Sequence, residues 1–484
     1  MSETNSALPT EWTTSVLEEV INIHDSERQP INRKERQERL SRPGERYPYF
    51  GATGQAGEID DFRSEGESIL LGEDAAPFLD PLKDKAYLVD GRYWVNNHAH
   101  ILRAKGGQSN AFYAYQLNRI SYVGYVSGTT RLKLTQREMK RLPLVVAPFP
   151  EQARIVSRID ELFSDIEAGE RAVERARAAL SRYRKAVLKA AVTGELTTDW
   201  RADNPSSEPA QALLTRIRQA RYDAWKKAEL EKLDAKGKAR PKTKKQWETF
   251  RGRYKAPPKA QEVDIVDLPN TWAFASLPEL GEFGRGKSKH RPRNDPKLYG
   301  GDYPFLQTGM VRGSGGKISR WDKTYNEVGL AQSKLWPAGT VCITIAANIA
   351  DTGILQMDAC FPDSVVGLVP HPDIGPEYPE FFMRTMQSDL SHFAPATAQK
   401  NINLAILETV SVPLPPIAEQ REIVSRVEEA LSRADAVEAS LDAQTRQAQA
   451  LRQAILKRAF AGELVDQDPN DEPASELLER IKAL

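Results

Sequence analysis

One octapeptide has the letters of a phosphate-binding loop. Gly281-Glu282-Phe283-Gly284-Arg285-Gly286-Lys287-Ser288 satisfies the Gly-x-x-x-x-Gly-Lys-Ser spacing in which backbone amides and a lysine cradle nucleotide phosphates. That chemistry needs a buried strand before the loop and a helix opening after it. Here Pro278 and Glu279 precede it, and Pro292 and Pro296 follow in a basic run that no helix accommodates. The octapeptide therefore reads as a Gly-rich basic loop suited to a DNA backbone rather than as a nucleotide-hydrolysis site. His98 and His100 alternate beside Asn96 and Asn97 without Cys or His partners at metal-ligand spacing, so His98 reads as structural. Cys342 lies in an apolar run and reads as core. The acidic clusters Glu58–Asp61 and Glu73-Asp74 lack the spaced carboxylates and lysine of a metal-dependent nuclease and read as solvated loops. The Gly-rich loop and Asn-Pro-Pro-aromatic signature of an adenine methyltransferase are not found. The expectation is a chain with no catalytic residues, no metal ligands and no cofactor of its own.

The elements that would position any binding residues emerge from self-comparison. Glu151-Gln152 recurs as Glu419-Gln420, Ile155–Arg158 as Ile423–Arg426, and Gly194-Glu195-Leu196 as Gly462-Glu463-Leu464, all at one offset. About 18 of the 46 aligned positions match without a gap, far above chance. A looser echo precedes each block: Leu8-Pro9-Thr10-Glu11-Trp12 against Leu268-Pro269-Asn270-Thr271-Trp272, and Tyr47-Pro48-Tyr49 against Tyr303-Pro304-Phe305. In the first block Ile155, Ile159, Leu162, Ile166, Gly169, Val173, Ala176, Leu180, Tyr183 and Val187 alternate at spacings of four and three. In the second, Ile423, Val427, Ala430, Ala434, Val437, Leu441, Gln444, Ala448, Leu451 and Ile455 do the same. That is a heptad seam, and each helix would span roughly 50 Å. Small residues such as Gly169 and Ala434 would admit close approach, antiparallel pairing of the two helices is expected, and Gly194 and Gly462 read as helix terminators.

The remaining chain divides accordingly. Residues 1–150 and 267–418 are expected to be mixed α/β domains, with short strands such as Ser68–Leu71, Ala86–Val89, Thr340–Ile345 and Val365–Val369 and helices such as Asn110–Arg119 and Pro379–Ser388. Residues 151–196 and 419–464 are the long helices, 197–266 a basic linker with a short helix at Pro209–Arg221, and 465–484 a tail with a matching helix at Pro473–Lys482. Arg221–Lys259 holds 14 basic and five acidic residues with Trp225, Trp247 and Tyr254 among them. It reads as a solvated tether, or else as a phosphate-contacting arm. The fold class is thus α/β plus coiled coil with a pseudo-twofold internal repeat. The 67 Lys and Arg balance 67 Asp and Glu across 484 residues, which excludes a polycationic protein but not segregated DNA-binding charge. Two cysteines, Cys342 and Cys360, suit a reducing compartment. The apolar runs are too short for a membrane span, and no signal peptide is visible at Met1–Thr10.

Pro413-Leu414-Pro415-Pro416-Ile417-Ala418-Glu419-Gln420 followed by a long heptad helix resembles the specificity subunit of type I restriction–modification systems. Lys297–Phe305 and Thr397–Leu404 resemble recurring stretches of that family's target-recognition domains. Tyr49–Gly54, Gly72-Glu73-Asp74 and Trp94–His100 resemble another subgroup of the same domains. Pro148-Phe149-Pro150 departs from the usual Pro-Pro-Leu form, and the basic linker is longer than the family leads one to expect. The resemblance implies a non-catalytic subunit in a prokaryotic cytoplasm. Each domain would read one half of an asymmetric bipartite site in double-stranded DNA, with the paired helices as a ruler. Two methyltransferase subunits bearing S-adenosylmethionine would dock on the helices, and restriction motor–nuclease subunits using ATP and Mg would join that core. The rival readings are a structural coiled-coil scaffold without DNA specificity and a self-contained nucleotide-dependent DNA-modifying enzyme. Phosphate contacts are expected on basic, glycine-rich loops: Arg285, Lys287, Lys289, Arg291 and Arg293, with Lys400 and Asn401, in the second domain, and Thr129, Thr130 and Arg131 in the first. Lysine and arginine suit guanine, and asparagine adenine.

Overall fold

The computed structural model describes residues 8–205, 208–261, 268–346, 349–387 and 402–483. The chain forms two compact units, Met1–Arg177 with Ala439–Leu484, and Ala178–Glu438. Each therefore combines one α/β domain with parts of both long helices, Phe149–Thr193 and Ile417–Ala459.

In the first unit, Thr13–Val16 pairs antiparallel with Pro143–Val146 and closes the domain's two ends on each other. Between them lie two four-stranded sheets. One has the order Ile21–Ile23, Ala99–Ala104, Ser68–Gly72, Ala86–Val89. Ser68–Gly72 is buried throughout, which explains its unbroken apolar reading. The other has the order Gly54–Ile59, Tyr47–Gly51, Arg92–Val95, Ser64–Glu65, with Tyr49 parallel to Trp94. The helix Asn110–Arg119 starts where Ser109 Oγ accepts from the Phe112 amide, and it buries Phe112, Tyr113 and Leu117.

The second unit repeats the plan. Ala273–Ser276 pairs with Ser411–Leu414. A five-stranded sheet runs Gly281–Arg285, Val365–Pro370, Val341–Thr344, Thr352–Leu355, Lys317–Ile318, and a four-stranded one centres on Tyr299–Phe305 and Ala359–Cys360. Cys342 is buried in the first of these. The Tyr303-Pro304-Phe305 echo of Tyr47-Pro48-Tyr49 holds in three dimensions, since Phe305 also pairs parallel with its neighbouring strand.

Each unit is completed by a short amphipathic helix. Ala474–Lys482 inserts Leu477, Leu478 and Ile481 into the first core, and the start of Ala210–Ala235 inserts Leu213, Leu214 and Ile217 into the second. Backbone bonds seat them alike, Ala474 N to Glu11 O and Ala210 N to Thr271 O, both at 2.9 Å. Gly462 and Gly194 end the long helices with φ of 73° and 83°. A Cβ at Gly462 would meet Pro9, and one at Gly194 would meet Pro269, so only glycine fits.

A carboxylate lies at the centre of each joint. Trp12 Nε1 and Gln467 Nε2 donate to Glu151, at 2.9 and 2.6 Å. Trp272 Nε1 and Thr197 Oγ1 donate to Glu419, at 2.9 and 2.8 Å, and Arg201 pairs with it as well. Both glutamates are almost fully enclosed, at 1% and 0% exposure.

Within each unit the helices run antiparallel. Arg177 meets Asp442 and Arg452 meets Glu170 in the first, while Arg184 meets Asp435 and Glu438 in the second. Of the predicted seam, Ile155, Ile159, Ile166, Val187, Ile423, Val427, Leu441 and Ile455 are buried, and Leu162 and Leu180 half-buried. Leu451 corrects that reading: it is 49% exposed, and Tyr183 and Val437 are exposed to a similar degree. Gly169 would meet nothing with an added Cβ, so it marks an open groove, lined with Leu162, Ile166, Val173, Ala448 and Leu451, rather than a close approach.

The linker also differs from a tether with a short helix. The helix beginning at Ala210 continues to Ala235, and a second, Lys244–Arg251, folds back after a turn. Tyr222, Trp225, Phe250 and Tyr254 pack at tilted or edge-on angles with centroids 5.1–5.7 Å apart, so the aromatics are consumed in the hairpin's own core. Tyr222 and Trp225, three residues apart, share one face of the first helix, while Phe250 comes from the second helix and Tyr254 from the segment just after its end at Arg251.

Burial pushes the Glu151 carboxyl upward, against the bonds from Trp12 and Gln467 that lower it, so a neutral acceptor should be tolerated. Glu151→Ala leaves a buried indole donor unpaired, a cost of about 1–3 kcal/mol. Glu151→Gln should cost less, and Glu419→Ala more, because Thr197 and Arg201 also lose their acceptor. Thermal unfolding midpoints of the three variants test this order, and equal losses for Glu151→Ala and Glu151→Gln would refute it.

Candidate nucleic-acid interface

In the first domain Thr129, Thr130 and Arg131 occupy the exposed loop joining Val126–Ser127 to Lys133–Leu134. Gly128 turns the loop at φ 102°, and a Cβ there would lie 2.4 Å from the Arg131 carbonyl. The loop is held by a charge network. Arg131 Nη2 and His98 Nδ1 each lie 2.8 Å from Asp74 Oδ1, and Lys133 Nζ lies 3.0 Å from Glu73 Oε1. Arg28 reaches both Glu73 and Asp25. His100, fully buried, contacts Asp25 through Nδ1 at 2.7 Å. Glu73-Asp74 is thus the anchor of this loop and not a solvated cluster. Asp60 is similarly drawn in by Arg39. The sequence hid this because the partners lie far away along the chain. Thr129 and Thr130 remain at the exposed tip, while the Arg131 guanidinium is already engaged.

In the second domain the octapeptide takes a form its letters did not announce. Gly281–Arg285 is a strand paired with Val365–Pro370, and the chain continues extended without opening a helix. Gly286 and Ser288 point inward and are buried, while Arg285, Lys287 and Lys289 are exposed. A Cβ on Gly286 would sit 2.3 Å from the Phe361 carbonyl, so this glycine serves packing, not phosphate binding. Arg285, Lys287 and Lys289 make no ion pair among the described residues. Arg291 instead donates to the Ser288 and His290 carbonyls, and Arg293 pairs with Asp363 at 2.6 Å. Lys400 and Asn401 lie outside the described residues, as does most of Thr397–Leu404.

Beside this ribbon runs a cleft of about 450 Å³ lined by Arg293, Asn294, Gln307, Thr308 and Lys323. A second of about 870 Å³, sharing Gly309 and Met310, carries Lys317, Arg320 and Trp321, the last 46% exposed. Sequence reasoning missed these. Their only signal was amide and basic side chains scattered over some thirty residues.

The repeat makes one comparison direct. In the register that aligns Trp12 with Trp272, Asp25 and Glu27 stand where Arg285 and Lys287 stand. In the first domain these acids turn inward to His100, Arg28 and Arg103. In the second, the bases project outward. Among the described residues no group of three or more His, Cys, Asp or Glu has metal-holding geometry, and no helix is long and apolar enough to cross a membrane.

Duplicated α/β domains with unlike polar surfaces, each clasped to paired long helices, define a two-domain recognition scaffold. The chain belongs to the type I restriction–modification DNA specificity family: the domain described as "Type I restriction modification DNA specificity domain" matches residues 9–175 and again 269–444. It is 28% identical over 152 residues to a putative type I restriction enzyme specificity subunit of Haemophilus influenzae, covering 31% of this chain and 37% of that protein. It is 25% identical over 352 residues to the EcoDI specificity subunit of Escherichia coli, covering 70% of this chain and 68% of that one. The fold is similar to a solved chain of a type I R-M system described for its complex assembly and conformational transition, with a TM-score of 0.60 at 16% identity over 94% of this chain and 99% of the other.

The charge network sets a pH dependence. Burial raises the Asp25 and Glu73 carboxyls, but His100 and Arg28 at the first, and Arg28 and Lys133 at the second, outweigh it and hold both below the ordinary range. A depressed folded value supplies stability above the unfolded value, about 3.9 for Asp and 4.3 for Glu, and loses it as pH falls through the folded one. Thermal midpoints should therefore drop steeply below about pH 4, and Glu73→Gln, weaker at pH 7, should show a shallower acid slope. Parallel slopes would contradict the network's role.

Proposed function

We propose that this chain is the DNA-recognition subunit of a type I restriction–modification assembly, with each α/β domain reading one half of an asymmetric bipartite site in double-stranded DNA. The observation that carries the asymmetry is the charge reversal at Asp25 and Glu27 against Arg285 and Lys287 in an otherwise repeated plan. Lysine-rich ribbons follow phosphates and set register, whereas amide and arginine side chains in flanking clefts read base edges. Exposed Arg285, Lys287 and Lys289 suit the first task; Asn294, Gln307 and Arg320 suit the second. In the first domain Thr129 and Thr130 at the anchored loop tip approach the duplex.

The chain itself carries recognition, not catalysis. Two methyltransferase subunits docking on the long helices would supply S-adenosylmethionine chemistry, and motor–nuclease subunits would supply ATP- and Mg-dependent cleavage, all in a prokaryotic cytoplasm. The helices would set the gap between half-sites.

Sequencing methylated bases in a host that expresses the chain with its methyltransferase subunits tests this reading. One bipartite motif with unlike halves is expected. Four added residues after Gly194 should lengthen its gap and leave both halves unchanged. No motif, as for a purely structural scaffold, or a palindromic motif would overturn the proposal.

A further inference from the structure

A helical hairpin lies between the two family-matched segments, residues 9–175 and 269–444, and belongs to neither. It is a built appendage of the second domain. Glu279, 2% exposed, holds both of its ends: Arg218 donates to Oε1 through Nε and Nη2 at 2.9 and 2.7 Å, and the Ala260 amide donates to Oε2 at 3.2 Å. Arg221 adds bonds to the Pro278 and Gly281 carbonyls, and Ser276 Oγ donates to the Pro258 carbonyl. Phe250, 2% exposed, and the surrounding rings fix the two helices together. A capping box between Thr243 and Gln246 starts the return helix sharply.

The hairpin presents its charge at the tip. Residues 236–245 contain six basic side chains and no acidic one. Arg240 is paired with Asp234. Lys236, Lys238, Lys242, Lys244 and Lys245 are exposed and make no ion pair among the described residues. We propose that these five lysines bind the phosphate backbone of duplex DNA, independently of its sequence. The inference rests on the DNA-recognition reading above and adds to it a binding surface outside the recognition domains.

Three features select this ligand. Lysine ammonium groups act as point charges that follow phosphates without reading bases. The hairpin's aromatic rings pack against one another at tilted or edge-on angles, and Lys226 lies over Trp247, so none is offered for stacking on unpaired bases as a single-strand site would need. The tip, composed of Lys, Gly, Ala, Arg, Pro and Thr, offers no aromatic or large aliphatic anchor of the kind that dominates protein–protein interfaces.

The test is equilibrium binding of the full chain, alone and assembled with its methyltransferase subunits, to cognate and unrelated duplexes across a salt series. Replacing all five lysines with glutamine should lower the log–log salt slope by about 0.9 for each phosphate no longer neutralised, up to about 4.5. The weakening should be equal on both duplexes and the methylation motif unchanged. The five-arginine variant should keep the slope. An unchanged slope in the glutamine variant overturns the proposal. So does a reduced slope in both variants, which would assign the effect to folding. Dissociation of the methyltransferase subunits with an unaltered slope for the chain alone overturns it in favour of an acidic protein partner. If the parent assembly selects no motif, the recognition reading falls, yet the slope on an arbitrary duplex still decides the hairpin's role.

Discussion

A buried carboxylate at the head of each long helix ties the structure together. Glu151 and Glu419 each accept an indole N–H from the tryptophan that opens the preceding domain, about 140 residues earlier. Each also accepts from the segment that follows the other long helix, Gln467 in one case and Thr197 with Arg201 in the other. Three stretches far apart in sequence are therefore fixed by one side chain in a nearly dry site, where an unmade bond is costly. The flanking strand pairs, Thr13–Val16 with Pro143–Val146 and Ala273–Ser276 with Ser411–Leu414, then close each domain as a loop on its own base.

That arrangement frees everything between the clasp strands to vary. The two domains share a plan and a clasp, yet they differ in sheet size and in the sign of charge at matched positions. Asp25 and Glu27 are spent on an internal network, whereas Arg285 and Lys287 are left outward. The net charge of zero is thus an average over segregated surfaces. The hairpin at 210–251 belongs to the same logic: its charge is directed outward because its aromatics and Glu279 make the inside and the base.

The helices, their terminating glycines, the tail helix and most named strands were legible because they depend on local period or on self-comparison. Asn110–Arg119 and Ala86–Val89 fall where the pattern placed them. What depends on distant partners was not legible. Glu73 and Asp74 look like solvated acids until Arg28, Lys133 and Arg131 arrive from elsewhere. The linker looks like a tether because lysines dominate its composition, while a few aromatics decide its fold. Leu451 and Gly169 satisfy the heptad letters, but the helices part there and leave a groove. Of the candidate site, the basic ribbon was named residue by residue, while the clefts beside it come from side chains gathered across three segments.

The central claim is that the clasps make each domain an independent reader on a shared scaffold. The most direct measurement replaces residues 17–142, between the first pair of clasp strands, with the matching stretch of another member of the family, and sequences methylated bases in a host carrying the methyltransferase subunits. Independent reading predicts a motif in which one half is exchanged while the other half and the gap stay as they were. A change in both halves, or in the gap, would contradict it.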